Sequence, residues 1–190
     1  MQVNKTSDAL PAYLVDPSTG TPSPINYYAG VRPRHILMTA AGDGTGTSNF
    51  IGNYSVTPVD LYYQATKTFE LYSLQFNISD NGAFAQTDYG NVTALTNGLK
   101  FFFKPAGLPE VPLFGGVVVH NNLELAQLSS RSDLVQWSGT PQTFIAHVHT
   151  IEQYGCPLQL AIGDRVIIRL NDNFTGLINQ VFTIGGNENL

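Results

Sequence analysis

Apolar and polar residues alternate with a period of two along most of the chain, which is typical of half-buried β-strands. The segment 67–79 shows the pattern clearly, with Tyr72, Leu74, Phe76 and Ile78 predicted on one face. Residues 34–40 are predicted as a further strand. The seven principal predicted strands cover residues 58–64, 67–79, 98–104, 116–120, 142–152, 164–171 and 176–185.

Helical patterning is scarce, and only 122–128 places leucines near one face over one or two turns. Many short strands separated by Gly and Pro turns indicate an all-β protein with an antiparallel β-sandwich. The length of the strand-rich part favours a two-sheet jelly roll.

The first 57 residues are interrupted by proline and glycine, yet they carry scattered apolar side chains. We therefore predict an extended, irregular N-terminal arm over 1–57 and a sandwich body over 58–190. Apolar residues in such an arm would lie on the protein's own body or on a neighbouring subunit. The arm residues predicted to make intersubunit contacts are Tyr13, Leu14, Ile25, Tyr27 and Tyr28.

The amino-acid composition argues against several classes of function. Only 12% of the 190 residues are charged and the net charge is -5, so the chain has no excess of cations with which to bind nucleic acid directly. No stretch approaches the roughly 18 apolar residues of a membrane span, so no membrane contact is expected. Cys156 is the single cysteine, which excludes an intrachain disulfide and a thiolate zinc site. Its thiol is predicted to have a packing role.

Two histidines form the most suggestive chemical motif. His147 and His149 are two residues apart on a predicted strand, so both imidazoles would point to one side and could hold a metal ion. A third ligand would have to come from His35 or His120. The competing interpretation, which we favour, is that both rings lie on the outward face of the strand. No metal, cofactor or catalytic residue is therefore predicted.

Several short motifs resemble virion structural proteins of tailed bacteriophages. A long strand and D-x-G-x-F turn occupy 71–84, Tyr-Gly-Asn follows at 89–91, Leu-Thr-Asn-Gly at 95–98 and Gly-Asp at 163–164. Relatives of this kind include capsid cement or decoration proteins with jelly-roll-like bodies, which are typically trimeric.

The resemblance implies a non-enzymatic decoration protein that binds the major capsid protein as a homotrimer and stabilises the assembled head. It would be made in the bacterial cytoplasm and carried on the capsid surface. Low charge agrees with this function, because interface cores are depleted of charged residues. Two alternatives remain open: a host-glycan-binding module of a fibre or tail, with Trp137 as a stacking platform, and a cupin-like metalloenzyme.

Overall fold

Ten β-strands, two short α-helices and one 3₁₀-helix make up the regular structure of the described residues. The computed structural model of the protein describes residues 31–80, 82, 87–89, 94–116, 119–129, 131–135 and 142–189. The strands are β1 (Val31–Leu37), β2 (Val59–Gln64), β3 (Phe69–Asp80), β4 (Leu99–Lys104), β5 (Val111–Pro112), β6 (Arg131–Val135), β7 (Gln142–His149), β8 (Leu158–Leu160), β9 (Arg165–Leu170) and β10 (Leu177–Asn189). The helices are the 3₁₀-helix Phe114–Gly116, α1 (Asn122–Leu128) and α2 (Thr150–Tyr154).

The strands form two antiparallel sheets. The first sheet has the order β1-β10-β3-β7-β6, with β8 also paired to β3, and the second has the order β2-β9-β4-β5. The prediction of an all-β antiparallel sandwich is confirmed. Among the described residues, neither α-helix is long and apolar enough to cross a membrane.

Aromatic rings join the two sheets in the core. Phe76 of β3 is fully buried and lies 5.4 Å from the ring of Phe101 on β4 and 5.6 Å from that of Phe182 on β10. Both contacts are edge-to-face, the geometry that the quadrupoles of aromatic rings favour. The inward residues of β9, among them Val166 and Ile168, complete the same apolar layer.

A bulge in β3 changes the predicted division of its two faces. Simple alternation predicts Leu71 and Leu74 on opposite faces, but both are buried. Ser73 pairs with Gly185 and Leu71 pairs with Gly186, so Tyr72 is an extra residue on β3. One inserted residue reverses the phase of a strand, and Tyr72 lies on the half-exposed side instead of with Leu74.

The β7 and β8 strands lie along the same edge of β3 and are separated by α2 and a short loop. His149 pairs with Ser73 and Leu158 with Leu71, so residues 150–157 leave the sheet and return. The loop also carries Cys156, whose side chain is exposed. The predicted packing role of this thiol is wrong, because the interruption of the strand places it outside the core.

Two further predictions have mixed outcomes. The short helix predicted over 122–128 is confirmed as α1, and the side chain of Asn121 caps it by accepting from the amide of Glu124 at 3.0 Å. The predicted strand over 116–120 is reduced, in the described residues, to an isolated bridge between Leu99 and Val119.

The described part of the predicted arm lies on the protein's own body. Strand β1 pairs with β10, and Ile36 and Met38 are buried in the common core. Thr39 then bridges to Tyr62 on β2, so the chain crosses from the first sheet to the edge of the second. Of the predicted arm, residues 1–30 lie outside the described residues.

Candidate functional site

The predicted arm contacts are not among the residues that the structure describes. Their role in intersubunit contacts therefore stays a prediction, as does the role of Trp137 in glycan stacking. The arm residues concerned are Tyr13, Leu14, Ile25, Tyr27 and Tyr28.

The histidine pair lies on the outward face of β7, as the favoured interpretation predicts. Ala146 and Val148 are fully buried, whereas His147 and His149 are half-buried on the opposite side of the strand. The two imidazole rings are nearly parallel, with centroids 6.4 Å apart. A metal site enclosed between the sheets would need the inward positions, which carry apolar side chains.

The proposed third ligands are not brought to this pair. His35 lies in the same cross-strand row as His149, but Gly185 and Ser73 stand between them. His120 is paired with Glu124 at 3.2 Å. Within the described part of the chain, no group of three His, Cys, Asp or Glu side chains is placed to hold a metal ion.

Uncharged polar groups dominate the middle of the outer face of the first sheet. Thr183, Gln75 and His147 form one cross-strand row beside the row that contains His35 and His149. Hydroxyl, amide and imidazole groups offer both donors and acceptors. The middle of this face, across β10, β3 and β7, therefore offers uncharged hydrogen-bonding groups, and Arg131 of β6 is the next residue in the same row.

The outer face of the second sheet has a different chemistry, arranged in three rows across β2, β9 and β4. A middle row of Tyr62, Ile167 and Phe102 is apolar. Ile167 is only 4% exposed although it faces outward, because the adjacent side chains cover it. Basic rows flank it on both sides: Asp60, Arg169 and Lys100 on one, and Gln64, Arg165 and Lys104 on the other.

Arg169 is the centre of the first basic row. Its guanidinium binds Asp60 at 2.8 Å through two nitrogens and Glu110 at 2.7 and 3.1 Å, and it lies 4.7 Å above the ring of Phe102. The hydrogen bonds with Asp60, followed by those with Glu110, raise the pKa of Arg169 above its usual value. Both carboxylates of this face are thus engaged by one arginine.

This face has a charge opposite to that of the whole chain. It carries four of the nine Lys and Arg residues against two carboxylates, in a chain of net charge -5. Sequence reasoning missed the cluster. The alternation within 99–104 and within 165–170 places each set of cations on one face, but the sequence does not reveal that these two strands are neighbours.

Comparisons with known proteins place the chain in no family. No family model matches it, and no curated protein matches it. A chain of a solved structure described as "Structure of infectious bursal disease virus Gt strain" aligns with 93% of this chain at 13% identity, with a TM-score of 0.22. This chain spans about 40% of the length of that chain. A similarity this distant assigns neither fold nor function.

Proposed function

We propose that this protein is a non-enzymatic structural component of a virus particle, with a jelly-roll body that binds and stabilises the assembled shell. In its most specific form, the proposal is a capsid decoration protein of a tailed bacteriophage that binds the major capsid protein as a homotrimer. The observation that carries the proposal is the order in which the strands pair.

The strand pairs are nested along the chain. Strand β1 pairs with β10, β2 with β9, β3 with β7, and β4 with β5, all antiparallel. A long hairpin rolled into two facing sheets gives this nesting, and the resulting orders are β1-β10-β3-β7 and β2-β9-β4-β5. Such an order supports a jelly roll, an architecture used by viral capsid and lectin domains. Strands β6 and β8 would be additions to its first sheet.

The surface of the second sheet supports a role in protein contacts. It combines aromatic side chains with arginine, and both residue types are enriched in protein interfaces. The guanidinium groups of Arg165 and Arg169 lie 4.8 and 4.7 Å above the rings of Tyr62 and Phe102. Rigid, partly desolvated groups of this kind lose little side-chain entropy when a partner covers them.

The proposal predicts that the purified protein sediments with assembled shells of its own virus and raises their melting temperature. A ligand that binds only the assembled state at 100 times its dissociation constant stabilises each site by about 2.7 kcal/mol. Centrifugation with mature and with unassembled shell protein measures the selectivity. A protein that stays in the supernatant with every form of the shell contradicts the proposal.

Deletion of residues 1–30 is expected to abolish shell attachment while the body stays folded. The deletion ends before β1, so the strand pairs of the sandwich are retained. Circular dichroism checks the fold and the same sedimentation assay measures attachment. Unchanged attachment would refute the proposed role of the arm, although it would leave shell binding by the body intact.

A glycan-binding module is the second candidate, and the uncharged polar groups in the middle of the first sheet's outer face favour it. Gln75, Thr183 and Ser73 supply the hydrogen-bonding groups that neutral sugars require. A glycan array with the full chain tests this function. A hit that is lost in Gln75→Ala and kept in Lys100→Gln would replace the shell-binding proposal.

A further inference from the structure

An open cleft lies at one end of the second sheet, between the β4–β5 loop and the turn before β9. It has a volume of about 520 Å³ and is lined by Gln64, Lys104 and Arg165 on the sheet and by Gly107, Leu108 and Gly163 on the loops. The volume is within the roughly 300–1,000 Å³ of sites that bind small molecules or side chains.

The two loops that form the cleft are tied together by a buried carboxylate. Asp164 accepts hydrogen bonds from the amides of Ala106 and Ala161, both at 2.8 Å. The amide of Gly163 donates to the carbonyl of Ala65 at 2.7 Å. These hydrogen bonds hold the walls of the cleft in place before any ligand binds. Both carboxylate oxygens of Asp164 accept from loop amides.

Lys104 and Arg165 form a like-charge pair directly across β4 and β9. Such pairs have Cβ atoms about 5 Å apart and are destabilising when nothing compensates them. Arg165 donates to Oε1 of Gln64 at 2.9 Å and stacks on Tyr62. Among the described residues, no carboxylate lies within ion-pair distance of either cation.

A second basic pair on the same two strands shows how the fold compensates such a pair internally. Lys100 lies opposite Arg169, and there Asp60 and Glu110 supply two carboxylates to the guanidinium. The two pairs are alike in strands, face and charge. Of these two pairs, only Lys104 and Arg165 have no carboxylate from the described residues beside them. An anion from a bound partner would offset the repulsion between their two positive charges.

We propose that this cleft binds the carboxylate of an acidic side chain in a polypeptide partner, a segment in which Asp or Glu is flanked by apolar residues. Exposed aliphatic side chains support a polypeptide: Leu108, which lines the cleft, is 59% exposed, and Ile162, which precedes the lining residue Gly163 in the chain, is 66% exposed. The planar guanidinium of Arg165 would donate two hydrogen bonds to the carboxylate, and the ammonium group of Lys104 would add a compact positive charge. The inference rests on the proposed function in one respect: it takes the shell protein as the source of this segment.

The test uses the ¹⁵N-labelled full chain and the peptide acetyl-Leu-Glu-Glu-Leu-amide, with acetyl-Leu-Gln-Gln-Leu-amide as the neutral match. The acidic peptide is expected to shift the amide resonances of Gly107, Leu108 and Gly163 saturably, and the neutral peptide is not. Lys104→Gln should weaken binding about tenfold, as expected for the loss of one charge-assisted hydrogen bond. Equal shifts with both peptides, or none with either, would overturn the proposal.

Lys100→Gln is the matched control, because it removes the same charge from the same face of β4. Lys100 is about 13 Å from Lys104 along the strand, beyond a Debye length in physiological salt. The control should change affinity less than about twofold. Equal weakening by both variants would mean general attraction to the face and would contradict a site in the cleft.

Two further measurements separate this inference from the function on which it rests. Saturable binding of N-acetylneuraminic acid to the same amides, without binding of the acidic peptide, would overturn the polypeptide partner. Shell sedimentation by wild type and by Lys104→Gln to the same extent would refute the cleft's role in docking and leave shell binding standing. Binding of the acidic peptide by a protein that sediments with no form of the shell would refute shell binding and leave the carboxylate site in the cleft standing.

Discussion

Replacement of Phe76 by alanine is expected to lower the free energy of unfolding by about 3–5 kcal/mol, the usual cost of removing an aromatic side chain from a packed core. Phe76 is fully buried and contacts the rings of Phe101 and Phe182 edge to face. The first of these contacts joins the two sheets. The substitution would thus leave a cavity at the centre of the sandwich.

Urea unfolding measures this effect, with Phe102→Ala as the matched control. Phe102 has the same side chain on the half-exposed outer face of β4, where solvent, Arg169 and Ile167 are its neighbours. The control is expected to lose about 1 kcal/mol, because less apolar area returns to water. Equal losses for the two variants would contradict the assignment of Phe76 to the shared core.

Replacement of Asp172 by alanine is expected to lower the free energy of unfolding by about 2–4 kcal/mol. Asp172 is 5% exposed, and its carboxylate accepts from the amides of Thr96, Asn97 and Gly98 at 3.0, 2.7 and 2.8 Å. These three residues lead directly into β4. Alanine would leave three backbone donors without the acceptor that orders them.

The variant is measured by urea unfolding and by hydrogen exchange at those three amides. Asp43→Ala is the control: Asp43 also accepts from a backbone amide, that of Thr45 at 2.8 Å, but in an exposed turn. The control should unfold close to the wild-type midpoint, and only Asp172→Ala should accelerate exchange before β4. Unchanged exchange at Thr96, Asn97 and Gly98 would show that the carboxylate does not order this segment.

The alternation of apolar and polar residues predicted where the strands lie better than it predicted which face of each strand a side chain occupies. The period of two in β7 correctly placed His147 and His149 on the outward face, because nothing interrupts that strand. In β3 the same reasoning fails at Tyr72, since an extra residue reverses the phase of the pattern and no local signal marks the bulge.

The candidate cleft could not be predicted from the sequence for a different reason. Lys104 and Arg165 are 61 positions apart by residue number, and only the pairing of β4 with β9 places them opposite each other. The anchoring of the loops by Asp164 likewise depends on backbone amides whose position is a property of the fold. The pattern of residues along a strand indicates which face a side chain occupies. A binding site such as this cleft also depends on which strands pair with each other, and the pattern does not show that.

If the sandwich is a structural part of a virus particle, as proposed, cryo-electron microscopy of virus particles purified from the source of this chain will locate it on them. Density for the two-sheet body is expected at symmetric positions on the shell, with the cleft of Lys104 and Arg165 turned toward an acidic side chain of the shell protein. Particles whose shell density is complete without this chain, and whose purified protein content lacks it, would rule out a structural role in the particle.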